Sequence, residues 1–265
     1  MKKKPIKILI PSIALVLALI SFLSPSELYA EECKAYNWYC KKNDKHEIPS
    51  LDPDFSFINK YGGYYADHNV GNNDKVIYLT FDAGYENGNI EKILDSLKAH
   101  NAHGTFFILE NLINRNPELV LRMKDESHLI CNHTAKHPDM TKITDLDNFK
   151  NQLSRLEKAY FTLTGEEMPK IYRPPEGRFS EQNLKFAHEL GYKTIFWSFA
   201  YADWDNNKQM SSDKALEKLL AHTHNGEILL LHPTSKTNAE ILDRFLSELE
   251  KEGYRFGNLN ELWAK

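Results

Sequence analysis

An excess of charge of one sign is nearly missing from this chain of 265 residues: 33 Lys and Arg stand against 37 Asp and Glu, for a net charge of −4. A field that weak gives no footing for a nucleic-acid partner. Sequence repeats, low-complexity tracts and internal linkers are absent, so one domain is the economical reading. Cysteine is scarce, with three in all. Cys33 and Cys40, in "CKAYNWYC", leave two outcomes, a small disulfide loop in an oxidising compartment or two free thiols. Cys131, in the apolar run "HLIC", reads as a small buried core residue.

Long apolar runs are confined to the amino terminus. "MKKKPIK" is a basic segment, "ILIPSIALVLALISFL" an apolar one, and "SPSELYA" a polar one ending at Ala30. Residues 1–30 therefore read as a signal peptide or a membrane anchor, and the rest of the chain as exported. Pro11 and the shortness of the apolar segment favour the signal peptide. Leu28, three residues before the expected cut, is not small and keeps the anchor open.

What is present is ordinary for a globular protein: 42% apolar and 26% charged residues. Aromatic content of 12% suits a carbohydrate cleft and a large core equally. Residues 31–74 are polar with scattered Pro, Gly and Tyr, and read as a loop-rich extension. From 75 onward, seven strand patterns alternate with six helical ones. Strands are expected at 75–82, 104–110, 128–134, 170–177, 192–200, 227–233 and 254–259. Helices are expected around 89–101, 117–126, 146–165, 180–191, 211–223 and 238–253, the third capped by Gly165. Such alternation means an α/β fold with parallel strands and right-handed crossovers, which barrels and open sheets both satisfy.

In that architecture chemistry collects where strands end. The strand ends here carry Asp82, His133 and His137, Arg173, Asp203 and Trp204, and His232. Each has a bland reading on its own. Asp82 suits an Asx turn, His232 a satisfied core histidine, Arg173 a surface charge before a proline turn. Trp204 suits the core and Asp203 a helix N-cap. The i, i+4 spacing of His133 and His137 puts two imidazoles on one face of a helical turn, as a divalent metal would want.

Taken together, "TFDAG", "HTAKH", "RPPEG", "YADWD" and "LLLH" resemble, in order, the five motifs of the polysaccharide deacetylases (carbohydrate esterase family 4, the NodB-homology domain). The resemblance spans about residues 75–260. "TFDAGYENG", "RPPEGRFS", "FWSFAYADW" and "LLHPTSKTNAEIL" look most like the sporulation-associated peptidoglycan N-acetylmuramic acid deacetylases, which act toward muramic δ-lactam of spore cortex. The resemblance implies a distorted (β/α) barrel of about seven parallel strands over 75–265. It implies a metal-assisted hydrolase with Asp82 as general base, Arg173 orienting it, and His232 as general acid kept protonated by Asp203. His133 and His137 would hold a divalent metal, zinc first, and Trp204 and Pro174 would contact substrate. The implied partner is the glycan strand of peptidoglycan, met by a monomer in the cell wall or at the outer membrane face. For a sporulation enzyme that place is the forespore intermembrane space.

Ala83 departs from the pattern, because the family usually places a second Asp there as third metal ligand. Three outcomes follow: a weakly held metal with extra waters, Asp82 entering the coordination shell, or a silent glycan-binding domain. A GlcNAc or chitooligosaccharide deacetylase is the rival within enzymes.

Overall fold

The structure, a computed structural model, describes residues 31–43, 45–71 and 74–264. The signal peptide or anchor expected over 1–30 lies outside the described residues. Among those described, no helix is long and apolar enough to cross a membrane.

In chain order the strands are β1 (Tyr36–Asn37), β2 (Gly63–Tyr64), β3 (Val76–Ala83), β4 (Thr105–Ile108), β5 (Leu129–Asn132), β6 (Ile171–Tyr172), β7 (Arg178–Phe179), β8 (Lys193–Ile195), β9 (Phe199–Ala200), β10 (Glu227–Leu231) and β11 (Arg255–Phe256). The α-helices are α1 (Ile90–Ala99), α2 (Glu110–Arg115), α3 (Pro117–Asp125), α4 (Leu146–Thr164), α5 (Glu181–Glu189), α6 (Ser212–His222) and α7 (Lys236–Lys251). The main sheet runs β2-β8-β6-β5-β4-β3-β10-β9, every pair parallel, and β11 pairs with the start of β3. Parallel order follows from the helix that intervenes between most successive strands.

All seven expected strands are present. The six expected helices are joined by an unexpected one, α2, too short to show a periodic apolar face. The expected strand 192–200 is divided, and the division closes the barrel. Its first part, β8, pairs with β6 and β2, and its second part, β9, pairs with β10 at the other end of the sheet. Phe196 N donates to Tyr64 O at 2.7 Å and Ser198 N to Ile228 O at 3.0 Å. Ala66 bridges Glu227 in the same gap. One stretch of chain thus belongs to both ends of the sheet.

Closure fixes what each strand presents inward. In β3, Ile77, Leu79, Phe81 and Ala83 pack on the helical layer, with Ile90, Ile93, Leu94 and Leu97 of α1 and Ile241, Leu242 and Phe245 of α7. Val76 and Tyr78 face the interior with Phe107, Cys131, Ile195 and Ile228. The two-residue period then carries Thr80 and Asp82 onto the interior face. The same parity takes Cys131 to His133 and Ile228 to His232. The four α1 side chains are fully buried, each contributing about 1.5–3 kcal/mol.

Residues ahead of β3 are packed onto this frame. A 3₁₀-helix, Pro53–Tyr61, starts at Asp52, whose carboxylate accepts from Asp54 N, and ends at Gly62 with φ 67°. Gly63 and Tyr64 join the sheet beside β8, and β1 pairs antiparallel with β7. Trp38 stacks on Phe196 with ring centroids 4.4 Å apart and donates from Nε1 to Trp197 O at 2.8 Å. Cys33 and Cys40 are not joined. Cys33 Sγ donates to Gln182 Oε1 and Cys40 Sγ to Trp197 O, while Cys131 is a free buried thiol as its apolar run suggests. Burial pushes the Cys40 thiol up to about 12, so it is inert at neutral pH.

One buried acid sits at the far end of the barrel. Glu227, 1% exposed, accepts from His224 N at 3.2 Å through Oε2. Its Oε1 has no hydrogen-bond partner. Burial pushes its carboxyl up to about 8 from an ordinary 4.5. The folded chain therefore holds this proton more tightly than the unfolded one. Stability from this group is intact below about pH 4.5 and falls as pH rises toward about 8. Glu227→Gln, which mimics the protonated acid, is expected to raise the melting temperature at pH 8.5 by more than about 5 °C. The gain should shrink to nothing near pH 4.5. Calorimetry of both proteins across that range checks it, and a pH-independent difference would contradict the assignment.

Candidate active site

The upper end of the barrel gathers the polar residues that the strands carry inward. Arg173 follows β6 and is fully buried. Its Nη1 donates to Asp82 Oδ1 at 2.8 Å, its Nη2 to Thr80 Oγ1 at 2.9 Å and Phe196 O at 3.3 Å, and its Nε to Ile195 O at 3.2 Å. The guanidinium lies over the Phe107 ring at 4.1 Å. A buried cation needs partners for its charge and its donors, and the interior of this barrel gives each of the three guanidinium nitrogens an acceptor.

Asp82 Oδ2 points the other way and lies 3.5 Å from His133 Nε2. Burial opposes ionisation of Asp82, and His133, Arg173 and His232 together outweigh it, holding the carboxyl below the usual carboxylate range. Burial pushes His133 itself down to about 4. At neutral pH His133 is therefore uncharged, and the hold on Asp82 falls to Arg173 and His232.

His133 and His137 are brought together, but not by a helical turn. The loop after β5 instead puts Thr134 at φ 74° and His137 at φ 56°, left-handed conformations uncommon for residues with a β-carbon. Side chains hold the loop in this shape. Asn132 Oδ1 accepts from Thr134 N at 2.8 Å while its Nδ2 donates to Leu153 O at 3.0 Å, and Thr134 Oγ1 accepts from His137 N at 2.9 Å. The two imidazole centroids are 5.0 Å apart at 70°.

The donor set can be tested against a metal ion. His133 Nδ1 lies 2.9 Å from Arg173 O, an acceptor only, so Nδ1 carries the proton. Nε2 then presents a lone pair toward the Asp82 carboxylate, an acceptor facing an acceptor, which is what a cation between or beside them would resolve. Among the described residues no group of three His, Cys, Asp or Glu is placed to hold a metal. Ala83 offers no donor, and its methyl is fully buried in the cluster that contains Ala135 of the histidine loop. The residues fit a divalent cation held by two imidazoles and water, not a closed three-ligand centre.

The second acid–base unit stands at the ends of β9 and β10. His232 Nδ1 donates to Asp203 Oδ1 at 2.7 Å and its backbone N to Asp203 Oδ2 at 2.8 Å. Nε2 is thereby left toward the cleft. Burial disfavours the imidazolium, but Asp203 and then Asp82 carry its pKa above the ordinary 6.5. Asp203 is 2% exposed, and Asn238 Nδ2 donates to its Oδ2 at 2.6 Å. Asn238 lies inside the stretch "LLHPTSKTNAEIL" but was singled out for no role, although it occupies a slot on the apolar face of α7, three residues before Ile241. That misplaced polarity was its signal.

These groups open on one cavity of about 780 Å³. Asp82, His133, His137, Trp204 and His232 line it; Arg173 and Asp203 lie behind their partners. Trp204 is 63% exposed and Tyr85 49%, two free aromatic faces suited to a sugar ring. Pro174 is buried and does not line the cavity; it caps the turn that contains Glu176. Glu176, itself at φ 58°, lines the cleft with Lys42 of the extension; the "RPPEG" motif contains Glu176 but singled out only its neighbours, and no motif pointed to Lys42.

The profile of the family described as Polysaccharide deacetylase matches residues 69–195. A peptidoglycan-N-acetylmuramic acid deacetylase, PdaA of Bacillus subtilis, is 41% identical over 228 residues, covering 85% of either chain. A peptidoglycan-N-acetylglucosamine deacetylase of Bacillus cereus is 34% identical over 213 residues, 79% of this chain and 74% of that one. The solved structure of B. subtilis PdaA, a family 4 carbohydrate esterase, superposes with a TM-score of 0.82 over 87% of this chain and 97% of that chain. With its distorted parallel barrel and its motifs at the strand ends, the chain belongs to the polysaccharide deacetylase family.

Proposed function

We propose that this protein removes the N-acetyl group from N-acetylmuramic acid in peptidoglycan, a step toward muramic δ-lactam of spore cortex. The observation that carries the reading is that an ionised carboxylate, Asp82, and a protonated imidazole, His232, open on one cleft. The identity to PdaA supports the choice of sugar. Residues 1–30 would export the chain as signal peptide or anchor, leaving the domain at the cell wall as a monomer.

The chemistry follows from the protonation states. Asp82, held ionised and oriented by Arg173, takes a proton from the water that attacks the acetyl carbonyl carbon. The carbon becomes tetrahedral and its oxygen anionic. Collapse breaks the C–N bond as His232 Nε2 gives its proton to the leaving nitrogen, and acetate and a free amine depart. Asp203 holds His232 in the tautomer that allows this. Trp204 would wall the pocket against the sugar or the acetyl methyl. Deacetylases of this family are metal-dependent. His133 and His137 would hold the ion, zinc first, which supplies carbonyl polarisation and a more acidic water. Ala83 makes that hold weak.

The test is incubation with purified peptidoglycan, followed by acetate assay and mass spectrometry of the muropeptides. Loss of acetyl from muramic acid supports the reading. Loss from glucosamine would move the protein to the other branch, and no acetate at all would make it a glycan-binding domain.

Two further outcomes are expected. The pH–rate profile should be bell-shaped, its acidic limb below the ordinary carboxylate value of 3.8 and its basic limb above 6.5. Asp82 must lose its proton and His232 keep one, so activity falls at either extreme. A rate flat from pH 4 to pH 9 would sink the pair. Ala83→Asp places a carboxylate where a methyl is fully buried. Without metal it should destabilise the protein by about 2–4 kcal/mol. Zinc should restore more melting temperature to the variant than to wild type, as a third donor joins the two imidazoles. Equal zinc responses in scanning calorimetry would mean that residue 83 does not reach the ion.

A further inference from the structure

The strongest unassigned feature is a polar chain behind the Asp203–His232 pair. Asn238 lies in the first turn of α7, is 1% exposed, and has no reason to interrupt an apolar helix face. Its Nδ2 donates to Asp203 Oδ2 at 2.6 Å and to His232 O at 3.1 Å. Its Oδ1 accepts from the Tyr201 hydroxyl. Burial and the charge of Asp203 push the Tyr201 phenol up, so it stays a donor. A hydroxyl that only donates to the amide oxygen forces the NH₂ toward Asp203. Ser235 Oγ accepts from Asn238 N at 3.1 Å and fixes the helix start that carries it.

We infer that Asn238, oriented by Tyr201, is a positioning residue that sets the acidity of His232 by hydrogen-bonding the far oxygen of Asp203. The inference rests on the reading of His232 as general acid. A donor on Oδ2 spreads the carboxylate charge and makes Oδ1 a weaker base toward His232 Nδ1. Asp203 then holds the imidazolium firmly enough to form and loosely enough to release its Nε2 proton. Removing the donor concentrates charge on Asp203 and tightens its grip on the imidazolium. The His232 pKa rises, and His232 becomes a poorer acid. The charged and titratable groups that act on His232 are Asp203, Asp82 and Arg173; His133, His137, Glu176, Lys42, Tyr85 and Tyr201 line the same cleft. Asn238→Ala alters none of them, and Tyr201→Phe removes a phenol that burial keeps protonated.

The experiment titrates the His232 ring by proton–carbon NMR in the full chain, with the signal assigned through His232→Gln, and records pH–rate profiles on peptidoglycan alongside. Asn238→Ala should raise the His232 pKa by about one pH unit, move the basic limb equally, leave the acidic limb in place, and slow turnover at pH 7 about tenfold. Tyr201→Phe, which removes one oxygen and lets the amide turn, should shift both in the same direction. It decides the matter if Asn238→Ala does not fold. A His232 titration unmoved, or moved downward, in the folded variants overturns the proposal, whatever happens to the rate, and leaves Asn238 a packing residue. Wild-type protein that releases no acetate would defeat the deacetylase reading, while the NMR shift would still judge Asn238.

Discussion

The ion pair between Arg173 and Asp82 is the constraint on which the barrel turns. A guanidinium with no solvent exposure is tolerable only when its charge and donors find partners, and here each of its three nitrogens donates to groups from separate elements. Asp82 and Thr80 come from the central strand β3, and the carbonyls of Ile195 and Phe196 come from the seam where β8 gives way to β9. The charge thus ties the middle of the sheet to the place where its ends meet. Replacing Arg173 with a smaller cation would lose that fork, since an ammonium offers no planar set of donors. The same contact that closes the interior orients the carboxylate at its mouth.

From this pair follows an unequal sharing of protons among close neighbours. Asp82 is anionic because the histidines and the guanidinium around it outweigh its burial. His133 is neutral because its own burial wins. His232, also buried, is drawn toward the cation because Asp203 stands directly against Nδ1 at 2.7 Å. Two histidines in one cleft therefore carry opposite tendencies, and the difference is the partner of Nδ1. A backbone carbonyl faces His133 and a carboxylate faces His232. Environments that push like groups apart let one cleft hold an anionic carboxylate, a neutral imidazole and a protonated one at a single pH, as the proposed mechanism requires.

Much of the fold was legible, because each of the seven strand patterns is a short apolar run bounded by turn residues and each long helix has an apolar stripe. Asp82, His133 and His232 were legible as residues of one cleft for a further reason: each follows its strand in register with the residues that face inward. What was not legible is what depends on closure. The division of 192–200 into β8 and β9 follows from which neighbour each half meets, and no local pattern encodes that. The loop of His133 and His137 defeated the i, i+4 reading because hydrogen bonds from Asn132 and Thr134 stabilise left-handed backbone that propensity disfavours. Pro174 misled because a motif neighbour of Arg173 need not share its face. Lys42 reaches the cleft from the extension across a long separation in sequence.

The strained loop has a bearing on the missing third donor. Two imidazoles hold a metal ion less firmly than three protein ligands, and any freedom in those imidazoles would weaken the hold further. Here the freedom is removed before any ion arrives. His133 is fixed by its bond to Arg173 O, and the backbone of His137 by Thr134, within a loop anchored through Asn132 to α4. The left-handed residues cost of order 1 kcal/mol each, and folding of the surrounding barrel supplies that energy. On the proposed metal-binding reading, the loss of affinity that a ligand at position 83 would add is partly offset by order built into the loop. The carboxylate that Ala83 omits would otherwise stand beside Asp82, where a second anion would raise the pKa of one of the pair. Leaving position 83 apolar keeps Asp82, among the described residues, the one carboxylate paired with Arg173.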